Sequence, residues 1–365
     1  MGRFFENKGD DITPIISDVQ VANLTFSVKD AGGFILHHAE GSQARITDFQ
    51  PQGEVLVPGE EKRFVPSGGR SSDGVLPFFN LEKPDSTGII TGVGWSGQWE
   101  ASFISQDDTC VDFQAGMEST KLVLRPHEKV RTPAILLLFY NGNWIRGQNY
   151  LRRLLLTHFS PSFNGETASP PISASPHAKV AFESTTSTNM IEGIKQISDN
   201  NLPVDTWWID AGWYFCPDSE TGKRNWVRGV GNWTVDPARY PDGMTPVADV
   251  AHDRGFKFLL WFEPERVMIG TWMYENHPDW ILYPGKFPPE QQYQAKDQFH
   301  LLNLGNLDAL EWLKSKVSSM VTEIGIDIYR HDFNMHPLNY WRQHDTKDQQ
   351  GLTEIRYITG LYDFL

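Results

Sequence analysis

Three apolar runs in this sequence end in carboxylates. The first, Ile326-Asp327-Ile328-Tyr329, opens β-branched as a buried strand does and closes on Arg330, His331, Asp332 and Asn334. The second, Val204 to Ile209, ends in Asp210 and is followed by Ala211-Gly212-Trp213-Tyr214. The third, Phe256 to Phe262, ends in Glu263-Pro264-Glu265-Arg266. Strands apolar along their length and polar at their C-terminal ends are how a (β/α)₈ barrel presents its chemistry. Acids that grip hydroxyls beside aromatic faces that stack on sugar rings suit a carbohydrate pocket. Asp332 is the candidate catalytic carboxylate, and Arg330 beside it would favour its ionised form.

The elements that must position these groups follow from the rhythm of the chain. Short β-type runs separated by Gly, Pro and Asn turns fill residues 1–160 and predict a β-sandwich. The stretch from Gly92 to Trp99 reads as a strand, a tight turn and an antiparallel return. A helix is expected from Trp144 to His158, then a Pro/Ser/Gly/Thr-rich linker over 161–177. From residue 178 to residue 365 strands and helices alternate, which implies parallel pairing. Strands are expected at 179–182, 204–210, 256–262, 299–304 and 326–332. Helices are expected from Ser187 or Thr188 to Asn200, over 246–254 and 307–324, and from about Gln350. That gives about five strand–helix units where a closed barrel has eight. The expected fold is therefore multidomain, a β-sandwich followed by a (β/α)₈ barrel that stops short of closure, with a five-stranded doubly wound sheet as the alternative.

The totals narrow the function classes. A net charge of −14 with no basic cluster argues against nucleic acid as a partner. Thirteen Trp is a surplus over ordinary core packing and leans toward sugar binding. Cys110 and Cys216 are too few for a disulfide framework or a cysteine-built zinc site. His331, His336 and His344 fit no standard ligand spacing, so neither metal nor cofactor is expected. No run is long enough to span a membrane, and the N-terminus lacks the apolar core of a signal peptide. The expected location is cytoplasmic, or secreted if the true start lies upstream of Met1, and a homo-oligomer is left open.

Taken in order, Trp208-Ile209-Asp210-Ala211-Gly212-Trp213-Tyr214, Gly231-Asn232-Trp233, Tyr240-Pro241-Asp242-Gly243-Met244, Trp261-Phe262-Glu263-Pro264-Glu265-Arg266-Val267, His277-Pro278-Asp279-Trp280 and Tyr329-Arg330-His331-Asp332-Phe333-Asn334 resemble glycoside hydrolase family 36, the melibiase-type α-galactosidases. The resemblance runs from the sandwich to the last residue. It implies a retaining exo-α-glycosidase acting on terminal α-galactosides of oligosaccharides or glycoconjugates. It places the nucleophile at Asp332, sugar-hydroxyl contacts at Asp210 and Arg330, and a pocket wall at Trp233. Asn334 is a further substrate-binding candidate, and of the other Trp residues Trp213, with Trp272 as a further candidate, is also expected to face a sugar. Glu263 and Arg266 would line the rim or buttress Arg330.

Three positions depart from the family pattern. Its best-known members carry two successive aspartates where this chain has Asp210-Ala211, Lys at Arg330, and Asp at Asn232. Guanidinium and ammonium bind hydroxyls differently, so an α-N-acetylgalactosaminide or another α-glycoside stays open as substrate. The family's acid/base is an Asp on a later strand, behind a Cys- and Gly-rich loop, and nothing after Asp332 matches either. Asp345, Asp348, Glu354 and Asp363 read as a solvated charged face. The expectation is an acid/base beyond Leu365, with a non-catalytic carbohydrate binder as the alternative.

Overall fold

The computed structural model describes residues 4–29, 32–163, 165–217, 224–296 and 298–365. The chain divides into two compact units, one of residues 1–168 with 336–359, the other of 169–335 with 360–365. The sequence reading assigned everything after 178 to the barrel. The division differs because residues 336–359 carry buried partners for the first unit.

The first unit is built on two antiparallel sheets. One has the order Gln20–Ser27, Cys110–Met117, Trp99–Ser105, Glu61–Phe64; the other Ala134–Asn141, Thr87–Gly94, Phe78–Glu82, Phe34–Ala39, Pro51–Leu56. Their inner faces meet through aromatic rings. Phe79 of the second sheet lies 4.8 Å from Phe64 and 5.4 Å from Phe103 of the first, centroid to centroid. The expected hairpin at Gly92–Trp99 does not form. Thr87–Gly94 and Trp99–Ser105 belong to different sheets, so the intervening turn carries the chain across the sandwich. Trp95 and Trp99, both buried, pull that crossing into the core. The helix Trp144–His158 has the expected bounds, with the Asn143 side chain capping its first turn.

Glu354 and Asp345 correct a second expectation. Neither lies on a solvated face. Glu354 is fully buried, accepts from Trp95 Nε1 and the Gln98 N–H at 2.8 Å each, and pairs with Arg342 at 3.0 Å. Asp345 accepts from the Gly351 and Thr353 N–H groups, capping the helix Leu352–Phe364. Asp363 does lie at the surface, paired with Lys314.

In the second unit four strands run parallel in the order β1 (Ser173–Ala174), β2 (Thr206–Ile209), β3 (Lys257–Phe262) and β4 (Ile328–His331). Helices α1 (Ser187–Asp199) and α2 (Thr245–Asp253) follow β1 and β2, and α3 (Leu307–Ile324) precedes β4. Thr186, one residue before the expected caps, forms a reciprocal capping box with Asn189. Asn306 caps α3, and Gly325, at φ +83°, ends it in the left-handed conformation glycine tolerates.

Two expected strands are placed differently. Residues 179–182 are not a strand; the chain instead forms β1 at 173–174, inside the expected linker, and then short 3₁₀ turns. Phe299–Leu302 is a strand, but it pairs antiparallel with Arg266–Met268 and Ile281–Leu282 in a separate small sheet. Its apolar composition could not reveal which partners would claim its hydrogen bonds. No helix among the described residues is long and apolar enough to cross a membrane. The described residues hold no cluster of three or more His, Cys, Asp or Glu groups fit for a metal, and both cysteines are free.

Candidate active site

Register assembles the site. Ile209 lies beside Leu260, Leu260 beside Tyr329, and Trp261 beside Arg330. Side chains alternate along a strand, so Trp208 and Asp210 share one face with Trp261 and Glu263 and with Arg330 and Asp332. The Arg330 guanidinium lies over the Trp208 ring, 4.2 Å from its centroid. Trp261 Nε1 donates to Asp332 Oδ2 at 2.9 Å. Asn334 Nδ2 donates to the same oxygen at 3.0 Å, and the Phe333 N–H to Oδ1 at 2.9 Å.

These donors decide the charge of Asp332. Burial alone would raise its pKa, but the bonds from Trp261, Asn334 and Phe333, with Arg330 nearby, outweigh it and hold the carboxyl below the usual aspartate value. A carboxyl depressed on folding stabilises the protein above the unfolded pKa and loses that contribution as acid protonates it. Trp261→Phe is therefore expected to raise the Asp332 pKa by roughly one to two units, the worth of one hydrogen bond to a charged group. A carboxyl-carbon NMR titration of Asp332 reads this directly. An unshifted midpoint would remove Trp261 from the account.

Asp210 is partly buried at the end of β2. Its N–H donates to His177 Nε2 at 3.1 Å and its Oδ1 accepts from the Ala211 N–H. Burial lowers the His177 pKa, keeping that nitrogen an acceptor. The turn that follows requires Gly212, at φ +86°, where a Cβ would meet the Phe182 carbonyl carbon at 2.7 Å.

Trp213 and Trp233 are not pocket walls in this structure. Both are 0 % exposed, inside a cluster with Tyr214, Trp261 and Phe262. Trp213 Nε1 donates to the Trp261 carbonyl at 2.9 Å, so it fixes β3 from behind. Trp233 holds a φ of +41°, unusual for a bulky residue and maintained by the packing around it. Trp272 stays exposed, stacked on Trp312 at 5.4 Å.

Glu263 and Arg266 are neither at a rim nor against Arg330. They are buried and ion-paired with each other, Glu263 at 0 % and Arg266 at 3 % exposure. Glu263 Oε1 also accepts from the Asn334 N–H at 2.7 Å. Burial is the largest influence on Glu263 and pushes it up to about 7, against the pull of Arg266 and Asn334 and with repulsion from Asp332 adding to the rise. Behind the strand, Glu265 and Tyr329 hold the His331 ring at 2.6 and 3.1 Å.

Sequence reasoning missed Trp261 and His177 as site residues. Trp261 sits two positions before Glu263, so strand alternation alone puts it on the same face. His177 lay in the stretch read as linker and carried no signal of its own.

The family profile described as melibiase matches residues 166–365, more than half of the chain and all of the site. The chain belongs to the melibiase family. It is 26% identical over 306 residues to alpha-galactosidase 2 of Pediococcus pentosaceus, covering 81% of this chain and 40% of that one. It is 25% identical over 248 residues to alpha-galactosidase Mel36A of Lactobacillus acidophilus, covering 67% and 32%. Its fold matches the GH36 alpha-galactosidase AgaA of Geobacillus stearothermophilus with a TM-score of 0.80 at 20% identity, covering 99% of this chain and 48% of that one. The alpha-galactosidase of Lactobacillus brevis gives a TM-score of 0.78 at 19% identity, covering 99% and 47%. This melibiase-family chain thus spans less than half the length of these relatives.

Proposed function

We propose that the chain carries the nucleophile half of a retaining exo-α-galactosidase site, with Asp332 as the nucleophile. The observation that carries this reading is the set of donors that keeps a half-buried aspartate ionised at a strand end. An oxocarbenium-like transition state needs such an anion beneath it. Asp332 Oδ2 is occupied by Trp261 and Asn334, whereas Oδ1 accepts, among the described residues, only the Phe333 N–H and keeps a lone pair for the anomeric carbon. The C–O bond to the aglycone breaks as the bond to Oδ1 forms, and water later hydrolyses the glycosyl ester with net retention. Asp210, Arg330 and Asn334 hold sugar hydroxyls. Glu263 and Arg266, buried beyond the end of β3, and the buried Trp213 and Trp233 support this face. No acid/base is assigned to a residue of this chain. The four parallel strands are read as an arc of a (β/α)₈ barrel, with the acids at their C-terminal ends.

Support for galactose comes from relatives. Those just named are alpha-galactosidases, and variants of AgaA have been solved in complex with raffinose and with stachyose. Ala211 in place of a second aspartate, with Arg330 and Asn232, leaves N-acetylgalactosaminides as the second reading. The test is covalent trapping. Galactose- and N-acetylgalactosamine-configured mechanism-based inactivators are incubated with the chain, and peptides are mapped by mass. Label on Asp332 from the galactose probe is the expected result. Label only from the N-acetylgalactosamine probe moves the specificity, and label on another residue overturns the nucleophile.

A further inference from the structure

Glu263 is a buried acid aimed at the site but screened from any substrate. Its Oε1 accepts the Asn334 N–H at 2.7 Å, and the Asn334 side chain, itself exposed, donates to Asp332 Oδ2 at 3.0 Å. Glu263 engages both the backbone N–H and the side-chain amide of Asn334, so the aim of that amide depends on how firmly Glu263 holds the residue. A carboxylate accepts an N–H more strongly than a neutral acid does. We propose that Glu263 is a positioning residue for Asp332, its charge clamping the Asn334 backbone and so setting how firmly Asn334 holds the Asp332 carboxylate.

The inference rests on the reading of Asp332 as nucleophile but goes beyond it, because it makes the hold on Asp332 depend on proton uptake elsewhere. The groups that face Glu263 are Arg266 from its own loop, Asp332 from the end of β4, and Tyr214 from the loop after β2. Burial pushes the Tyr214 phenol well above its ordinary value, so it does not titrate near neutrality. The switching of Glu263 near neutrality, at about 7, is then felt at Asp332 in two ways. On the acid side the clamp on Asn334 weakens, and the repulsion between the two carboxylates disappears.

The experiment follows the Trp261 indole N–H by NMR, since it donates to the same Asp332 oxygen and needs no turnover. Its resonance, assigned with Trp261→Phe, is recorded from about pH 5 to about pH 9, a range bracketing the ordinary titrations of acids and histidines. The expected result is an inflection near 7 in the wild type that vanishes in Glu263→Gln. If that variant leaves Arg266 unpaired and unfolds, Glu263→Gln combined with Arg266→Gln replaces it. An inflection that persists in the variant, or is absent from the wild type, overturns the proposal. The pH profile of labelling by the galactose-configured inactivator separates the two readings. A neutral limb that flattens in Glu263→Gln supports both. No labelling of the wild type, with the indole inflection intact, overturns the nucleophile assignment while the coupling of Glu263 to Asp332 stands.

Discussion

Asp332→Asn is expected to abolish glycosyl-enzyme formation and to lower any α-galactoside turnover by about 10⁴-fold or more, the scale seen when a covalent nucleophile is removed. Asparagine keeps the shape, so a fold change does not confound the result. It cannot attack, and its amide nitrogen faces donors where Asp332 accepts from Trp261, Phe333 and Asn334. The companion variant Asp332→Ala opens space for a small anion. With an activated aryl α-galactoside and azide, it should yield the β-galactosyl azide, because azide attacks from the face the carboxylate occupied. Mass mapping and product stereochemistry check both. Trapping that persists in Asp332→Asn, or an α-azide, would sink the assignment.

Arg239→Met is expected to have the largest effect on stability, about 3–5 kcal/mol, as for breaking one side of a buried ion pair. Arg239 is 6 % exposed and pairs with the buried Asp236 at 2.8 Å. Its guanidinium also donates to the carbonyls of Thr185, Gly212 and Tyr214. Those carbonyls belong to the segment before α1 and to the turn after Asp210, so one side chain ties the start of α1 to the turn carrying Trp213. Removing it takes from the buried Asp236 its 2.8 Å partner and from three interior carbonyl oxygens their guanidinium donor, each a cost of lost hydrogen bonding in the interior. The control is Arg224→Met. Arg224 also reaches Asp236, at 3.2 Å, but its side chain is 37% exposed, and a loss of about 1 kcal/mol or less is expected. Urea unfolding of both variants decides the matter. Equal losses would mean that Arg239 owes its effect to charge alone, not to the carbonyls it gathers.

Much of the second unit was legible because its signals are local. Alternation and an acid at the end of each run located Asp210, Glu263 and Asp332, and capping residues placed α2 and α3 within a residue or two. What failed was non-local. Gly92 to Trp99 has the composition of a hairpin, and only the separate sheets on either side show that it crosses between them. Phe299–Leu302 is a strand in both readings, but its partners lie in a different sheet. Trp213 and Trp233 have the residue type of a sugar wall, yet burial depends on neighbours more than fifteen positions away, such as Trp261 and Phe262. Glu354 sits in a charged, helical stretch, and nothing nearby announces that Trp95 and Gln98 wait for its carboxylate.

That last pairing has a temporal side. Trp95 and Glu354 are 259 residues apart, and the whole of 169–335 is made between the two stretches of the first unit. At about 5–20 residues per second, synthesis reaches Glu354 roughly 13–52 s after Trp95. Until then the Glu354 carboxylate that accepts from the Trp95 indole and the Gln98 N–H has not been made. The part of the first unit made before residue 169 thus waits for residues 336–359 to complete it.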